Sequence, residues 1–215
     1  MITRIVRAGE MNDAPLRIVW ILFCLLALPS LLGMLGIPEA VLSLLAVTAA
    51  LPGCIASPDK MGIHRLEVAD LKMIAGCYFF IIFTSALINP LWIMLLHKLG
   101  IPFSERQEIV LLLMRSAPWA RAMIFISGCL LTPLVEEVLF RRLIYAQWLK
   151  LHAKSAFAGT MVIFALLHFF VLGIPGLLIM GGCFQYIFLK RQNLLSAVCL
   201  HALVNSIAFS MSLLI

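Results

Sequence analysis

Charge is what this chain has least of. Of 215 residues, 16 are Lys or Arg and 10 are Asp or Glu. Charged side chains therefore make up 12% of the chain, where a soluble globular domain carries about 25%. Apolar residues reach 63% and mean hydropathy is +1.09. A water-soluble domain is excluded, and so is a disordered or fibrous chain; the composition is that of a polytopic membrane protein. The net charge of +6 does not signify nucleic acid. The basic residues stand in ones and twos between apolar runs, with no basic cluster interleaved with aromatics. No CxxC pair occurs, which removes zinc knuckles and redox pairs. Cys24, Cys54, Cys77, Cys129, Cys183 and Cys199 read instead as small buried hydrophobes. Arg4, Arg7 and Arg17 ahead of the apolar run from Ile18 imitate a secretory signal. No A-x-A-like site closes that run, so it reads as an uncleaved first helix.

What is present is a series of apolar runs. About 20 apolar residues in a helix cross a bilayer core. That rule predicts spans at Ile18–Gly36, Val41–Ile55, Leu71–Leu96, Ala122–Leu149, Ser155–Leu172, Ile174–Leu189 and Leu194–Ile215, the second and sixth of them short. The stretch Ile101–Ala120 differs. Ser104, Glu105, Arg106 and Glu108 precede Ile109–Met114, with Arg115 and Trp119 after it, which predicts an interfacial amphipathic helix. Ser104 and Gln107 have the spacing of a capping box for that helix. The expected fold is all-α: a polytopic bundle of seven spans plus the interfacial helix. No repeat or linker divides it, so residues 1–215 are expected to form a single membrane domain, with N-terminal helices over about 18–96 and a catalytic core over about 122–215. Twelve of the sixteen Lys and Arg fall in the N-terminal arm, the 56–72 loop, 141–154 and 190–191, which predicts a cytoplasmic N-terminus. Trp20, Trp92, Trp119 and Trp148 lie near span ends, as an aromatic belt would. Arg142 is expected to snorkel to a headgroup.

Of the ten acids, only Glu136 and Glu137 interrupt an apolar span. An ionisable residue at mid-depth costs about 2.5–3.5 kcal/mol on insertion scales, so an adjacent pair demands compensation. Glu137 and Arg141 are four apart, share a helix face and can pair. Glu136 sits about 100° round the helix and is left to face something else. His168 ends Phe164-Ala-Leu-Leu-His168, and His201 and Asn205 are four apart on one face of the last span. Counted from the basic landmarks Lys150, Lys154 and Arg191, Glu136, His168 and Asn205 each lie about 14 residues deep, or roughly 21 Å, and His201 one turn shallower. Three helices thus bring Glu, His, His and Asn to one layer. A carboxylate held out of water suits a general base, a facing His can position the water, and a second His with an Asn offers donors to an oxyanion. The inferred reaction is hydrolysis of an acyl bond by activated water within the membrane, without a nucleophilic side chain.

Glu136-Glu137-Val-Leu-Phe-Arg141, Phe164-Ala-Leu-Leu-His168 and His201-Ala-Leu-Val-Asn205 resemble the EExxxR, FxxxH and HxxxN motifs of the CPBP family. Its members are the CAAX prenyl endopeptidases and bacterial bacteriocin-processing relatives, glutamic-type intramembrane proteases. The resemblance covers Thr132 to Ser206. It implies Glu136 as general base for the attacking water, His168 as its partner, His201 and Asn205 as oxyanion stabilisers, and Glu137 and Arg141 as structural support of the site. It implies no cofactor. The implied substrate is a membrane-associated protein or peptide, with a C-terminal sorting or peptide-processing system as a partner, in a bacterial-type plasma (inner) membrane. The prenylated substrates of eukaryotic members are not carried over.

Other readings remain open at this point. HExxH is absent, Asp13, Asp59 and Asp70 are the only Asp residues and none interrupts a span, and Ser127-Gly128 lacks the upstream Gly of a rhomboid-type GxSG. A zinc hydrolase using Glu136, His168 and His201 as three ligands is one alternative. A non-catalytic immunity, scaffold or transport protein using the same polar layer is another; against transport, no inverted repeat is seen.

Overall fold

The computed structural model of the chain describes residues 13–55 and 61–214. Arg4 and Arg7 of the arm, and Asp59 and Lys60 of the first loop, lie outside the described residues. The fold is an all-α membrane bundle. Among the described residues there are eight helices: α1 (Ala14–Gly33), α2 (Glu39–Cys54), α3 (Val68–Leu99), α4 (Glu108–Arg115), α5 (Pro118–Leu151), α6 (Ala156–Leu166), α7 (Ile174–Arg191) and α8 (Leu194–Ser212). α1, α3, α5, α8 and the stretch Val171–Arg191 that contains α7 are long and apolar enough to cross a bilayer, whereas α2 and α6 are shorter. α7 packs against α6, α3 and α8, and α2 packs between α1 and the first half of α5.

Several boundaries differ from the sequence expectation, each for a local reason. α6 was expected to run to Leu172 but stops at Leu166; a turn follows with Phe169 at φ 49°, and a short 3-10 turn, Val171–Gly173, leads into α7. Pro175 sits in the first turn of α7, where its missing N–H costs nothing. Of the seven expected spans, the short ones are therefore the second (α2) and the fifth (α6), not the second and the sixth. Eleven residues of α6 rise about 16 Å, roughly half a bilayer core. Non-helical backbone at such depth is tolerated only where it lines a cavity or is buried in protein. The loop does line one, through Leu167, His168, Phe170 and Gly173.

The interfacial helix is only eight residues long. Ser104 caps nothing: its hydroxyl donates to the Arg106 carbonyl, and Gln107 is the N-cap residue. Ser116 and Ala117 adopt extended backbone before Pro118 opens α5. Arg121 then reaches back to the Leu113 and Met114 carbonyls, satisfying the end of α4. The capping box lies elsewhere, at Glu67 and Asp70, and starts α3 three residues before the expected Leu71. Asp70 is not a loop residue but is buried in the first turn of α3, bonded to Arg191 at 2.8 Å and to Ser196 at 2.7 Å.

Wide turns with i→i+5 bonding interrupt α1 at Phe23–Ala27 and α5 at Ile126–Leu131, in both cases just before a proline, Pro29 and Pro133. Widening gives the ring room where a regular turn would clash with the preceding carbonyl. A third wide turn, Val138–Ile144, carries Arg141 and Arg142. Residues 137–143 are all buried, so α5 is enclosed on every side there. That is why Arg142 does not snorkel: it is buried over the Phe188 ring at 5.7 Å. Three of the four tryptophans donate their N–H groups to the protein itself, at exposed positions: to the Ala49 and Val171 carbonyls and to Ser155 Oγ.

Candidate active site

The six residues singled out from the sequence come together from α5, the turn after α6, and α8. They fall into two groups. Glu136, His168, His201 and Asn205 line a cavity of about 1110 Å³; Glu137 and Arg141 lie behind it. Both members of the second group are fully buried, and Arg141 Nε donates to Glu137 Oε2 at 2.7 Å. Arg141 Nη2 adds a bond to Oε1 at 3.3 Å, and Arg141 Nη1 reaches Gln185 Oε1 at 3.4 Å. The guanidinium is boxed by the rings of Phe140, Phe164 and Phe184 at 5.5–5.9 Å. Pairing, hydrogen bonds and aromatic faces together replace the water this cation gives up.

His201 connects the two groups. Its Nδ1 lies 3.0 Å from Glu137 Oε1, and a carboxylate only accepts, so Nδ1 carries the hydrogen. In the neutral ring Nε2 then keeps its lone pair, and Nε2 stands 3.9 Å from Glu136 Oε2. That is too far for a hydrogen bond. Glu136 Oε2 is buried and has no hydrogen-bond partner. Phe184 stacks on the His201 ring at 4.6 Å and 21°, fixing its plane. His168 is set in the same way: Nδ1 lies 2.7 Å from the Phe164 carbonyl, which only accepts, so Nδ1 is the donor and Nε2 is left with a lone pair. The Phe of FxxxH thus orients His168 through its carbonyl, and packs on it through its ring at 4.6 Å.

Asn205 Nδ2 donates to the Gly128 carbonyl at 2.9 Å. The bond has a cause in the sequence. In the wide turn Thr132 N–H is taken by Ser127 O, so the next carbonyl, Gly128, looks to residue 133. Pro133 has no N–H. Asn205 supplies the missing donor from another helix, with one amide hydrogen remaining.

Sequence reasoning missed two contributors on α7, Phe184 and Gln185. No motif marks them; the available signal was an amide side chain inside an apolar span. Among the described residues no three His, Cys, Asp or Glu side chains group as a metal set.

Residues 118–207 match the family model described as Rce1-like, type II CAAX prenyl endopeptidase. No curated protein and no solved structure matches the chain. The matched segment runs from the first residue of α5 past Asn205, and so contains every residue of the cluster just described. Over that segment this multi-pass membrane protein is similar to the type II CAAX prenyl endopeptidases of the Rce1-like model, and the match supports the CAAX-protease (CPBP) family and a protease.

Proposed function

We propose that the chain is an intramembrane endopeptidase that hydrolyses a peptide bond of a membrane-associated protein or peptide with water activated by Glu136. One observation carries the reading: Glu136 Oε2 and His201 Nε2, both acceptors, face each other across 3.9 Å with nothing bonded to the carboxylate oxygen. A water molecule has two hydrogens to give and fits between two acceptors. Glu136 takes one proton as the water oxygen bonds to the scissile carbonyl carbon. His168, with its Nε2 lone pair, helps to hold the water. The charge gathering on the carbonyl oxygen is met by the remaining hydrogen of Asn205, and by His201 only when its Nε2 is protonated as well. Collapse of the intermediate breaks the C–N bond, and Glu136 returns its proton to the leaving amine. Glu137 and Arg141 support the site by holding His201 in one tautomer.

The same reading puts the protein in a plasma (inner) membrane with its N-terminus in the cytoplasm and a C-terminal sorting or peptide-processing system as partner. The distribution of Lys and Arg supports that orientation.

The test compares protein termini in membranes carrying wild type or Glu136→Gln at matched expression, with and without chelator. New termini made only by wild type, in both conditions, are expected. Glu136→Gln is expected to lower their formation at least 100-fold without changing thermal unfolding, and His168→Ala to do nearly the same. Cleavage by Glu136→Gln at the wild-type rate refutes the mechanism, and loss of cleavage with chelator points to a metal hydrolase.

A further inference from the structure

A peptide bond can be attacked only when its segment is extended, and extension in a membrane carries a cost. The N–H and C=O groups that a helix pairs internally are set free, at several kcal/mol each in hydrocarbon. A protease acting at that depth must supply partners for them.

One wall of the cavity offers such partners away from the carboxylates. Ser85, Asn89 and Trp92 are spaced four and three apart and so share a face of α3. Trp92 Nε1 donates to the carbonyl of Val171, three residues beyond His168. A Cβ built on the buried Gly176 would stand 3.6 Å from Ser85 Oγ and 3.8 and 3.9 Å from the two polar atoms of the Asn89 amide. This face of α3 therefore runs beside the backbone that continues from His168 into α7, and the missing side chain of Gly176 lets that backbone pack close to Ser85 and Asn89 without bonding to the Asn89 oxygen. Ser85 and Asn89 line the same cavity as Glu136 and His168. Asn89 Oδ1 is out of contact with solvent and has no hydrogen-bond partner. An unsatisfied amide in an apolar span costs stability, and Asn is the side chain that presents an acceptor and a donor together, the complement of one peptide unit.

We infer that Ser85 and Asn89 form a subsite that pairs with the main chain of an unwound substrate segment, Asn89 Oδ1 accepting a backbone N–H. The inference rests on the intramembrane-protease reading. It names what the subsite recognises: backbone amides rather than a side chain or a lipid group.

The test uses the full chain carrying Glu136→Gln, reconstituted in phosphatidylcholine–phosphatidylglycerol vesicles, so that binding is measured without cleavage. The probe is a fluorescent Leu/Ala peptide of about 20 residues with a central Gly-Gly break. Its twin is N-methylated at the central amides and so lacks those donors. The unmethylated peptide is expected to bind about tenfold tighter, the worth of one or two hydrogen bonds. Asn89→Leu is expected to bring the ratio close to one with thermal stability equal to or above that of the chain that keeps Asn89, and Ser85→Ala to narrow it. Equal binding of both peptides by the chain that keeps Asn89, or an unchanged ratio in Asn89→Leu, overturns the inference. A chain that discriminates the peptides yet cleaves nothing as wild type refutes the catalytic reading and leaves this one standing.

Discussion

α1 and α3 are the most apolar of the five long spans, with a mean hydropathy of 2.1 each, yet only 11% of either window is buried within the protein. α5, α8 and the stretch containing α7 are less apolar, at 1.7–1.8, and 44–50% buried. In water the order would be reversed. Lipid is as good a solvent for Leu or Phe as a protein core, so apolar side chains do not sort helices between inside and outside. Polar side chains do, because in hydrocarbon they need partners that only other helices can provide. Phe79, Phe80 and Phe83 of α3 accordingly point outward, and Glu137, Arg141, Gln185 and His201 are buried. The family match follows the same division, beginning where α5 begins.

Three tests break or sharpen that contrast. The largest effect is expected for Arg141→Met, which leaves the Glu137 carboxylate buried without its cation. A loss of about 3–5 kcal/mol is expected in thermal unfolding of the purified protein. Adding Glu137→Gln to that variant removes the stranded charge and is expected to recover much of the loss; no recovery means that the pair does not hold α5 as described. An intermediate effect is expected at Asn205. Asn205→Ala strands the Gly128 carbonyl and costs about 1–3 kcal/mol, whereas Pro133→Ala provides a backbone N–H at the position that lacks one. The four chains of that cycle should show coupling, with the double variant more stable than Asn205→Ala alone. If stability returns in the double variant but cleavage does not, the remaining amide hydrogen of Asn205 acts on the reaction itself. The smallest effect is expected for Phe83→Leu on the outer face of α3, within about 0.5 kcal/mol of wild type. A larger loss would mean that this face is covered rather than lipid-exposed.

Much of the candidate site was legible because it is expensive. Two adjacent acids in an apolar span stand out in any sequence, and the four-residue step to Arg141 names their compensation. Phe184 and Gln185 were not legible, because their importance is a matter of which helix α7 packs against. The end of α6 was not legible either: Leu167-His168-Phe169-Phe170 is as apolar as the helix before it, and composition does not distinguish a continuing helix from a loop that lines a cavity. The capping boxes show the same limit. Ser104 and Gln107 had the familiar residue types, but the box formed at Glu67 and Asp70, where Arg191 and Ser196 hold the second carboxylate in place.

The sequence by itself determined that the chain lives in a membrane, that its elements are helices, and which few polar residues must be turned inward, because each of these follows from the cost of moving a group between water and hydrocarbon. The tertiary structure alone decided how those residues divide. It ties Glu137 to Arg141 and His201, leaves Glu136 Oε2 without a hydrogen-bond partner, and sets Asn89 beside the first turn of α7. Those outcomes depend on distances between helices far apart in the chain, and a transfer free energy carries no information about direction.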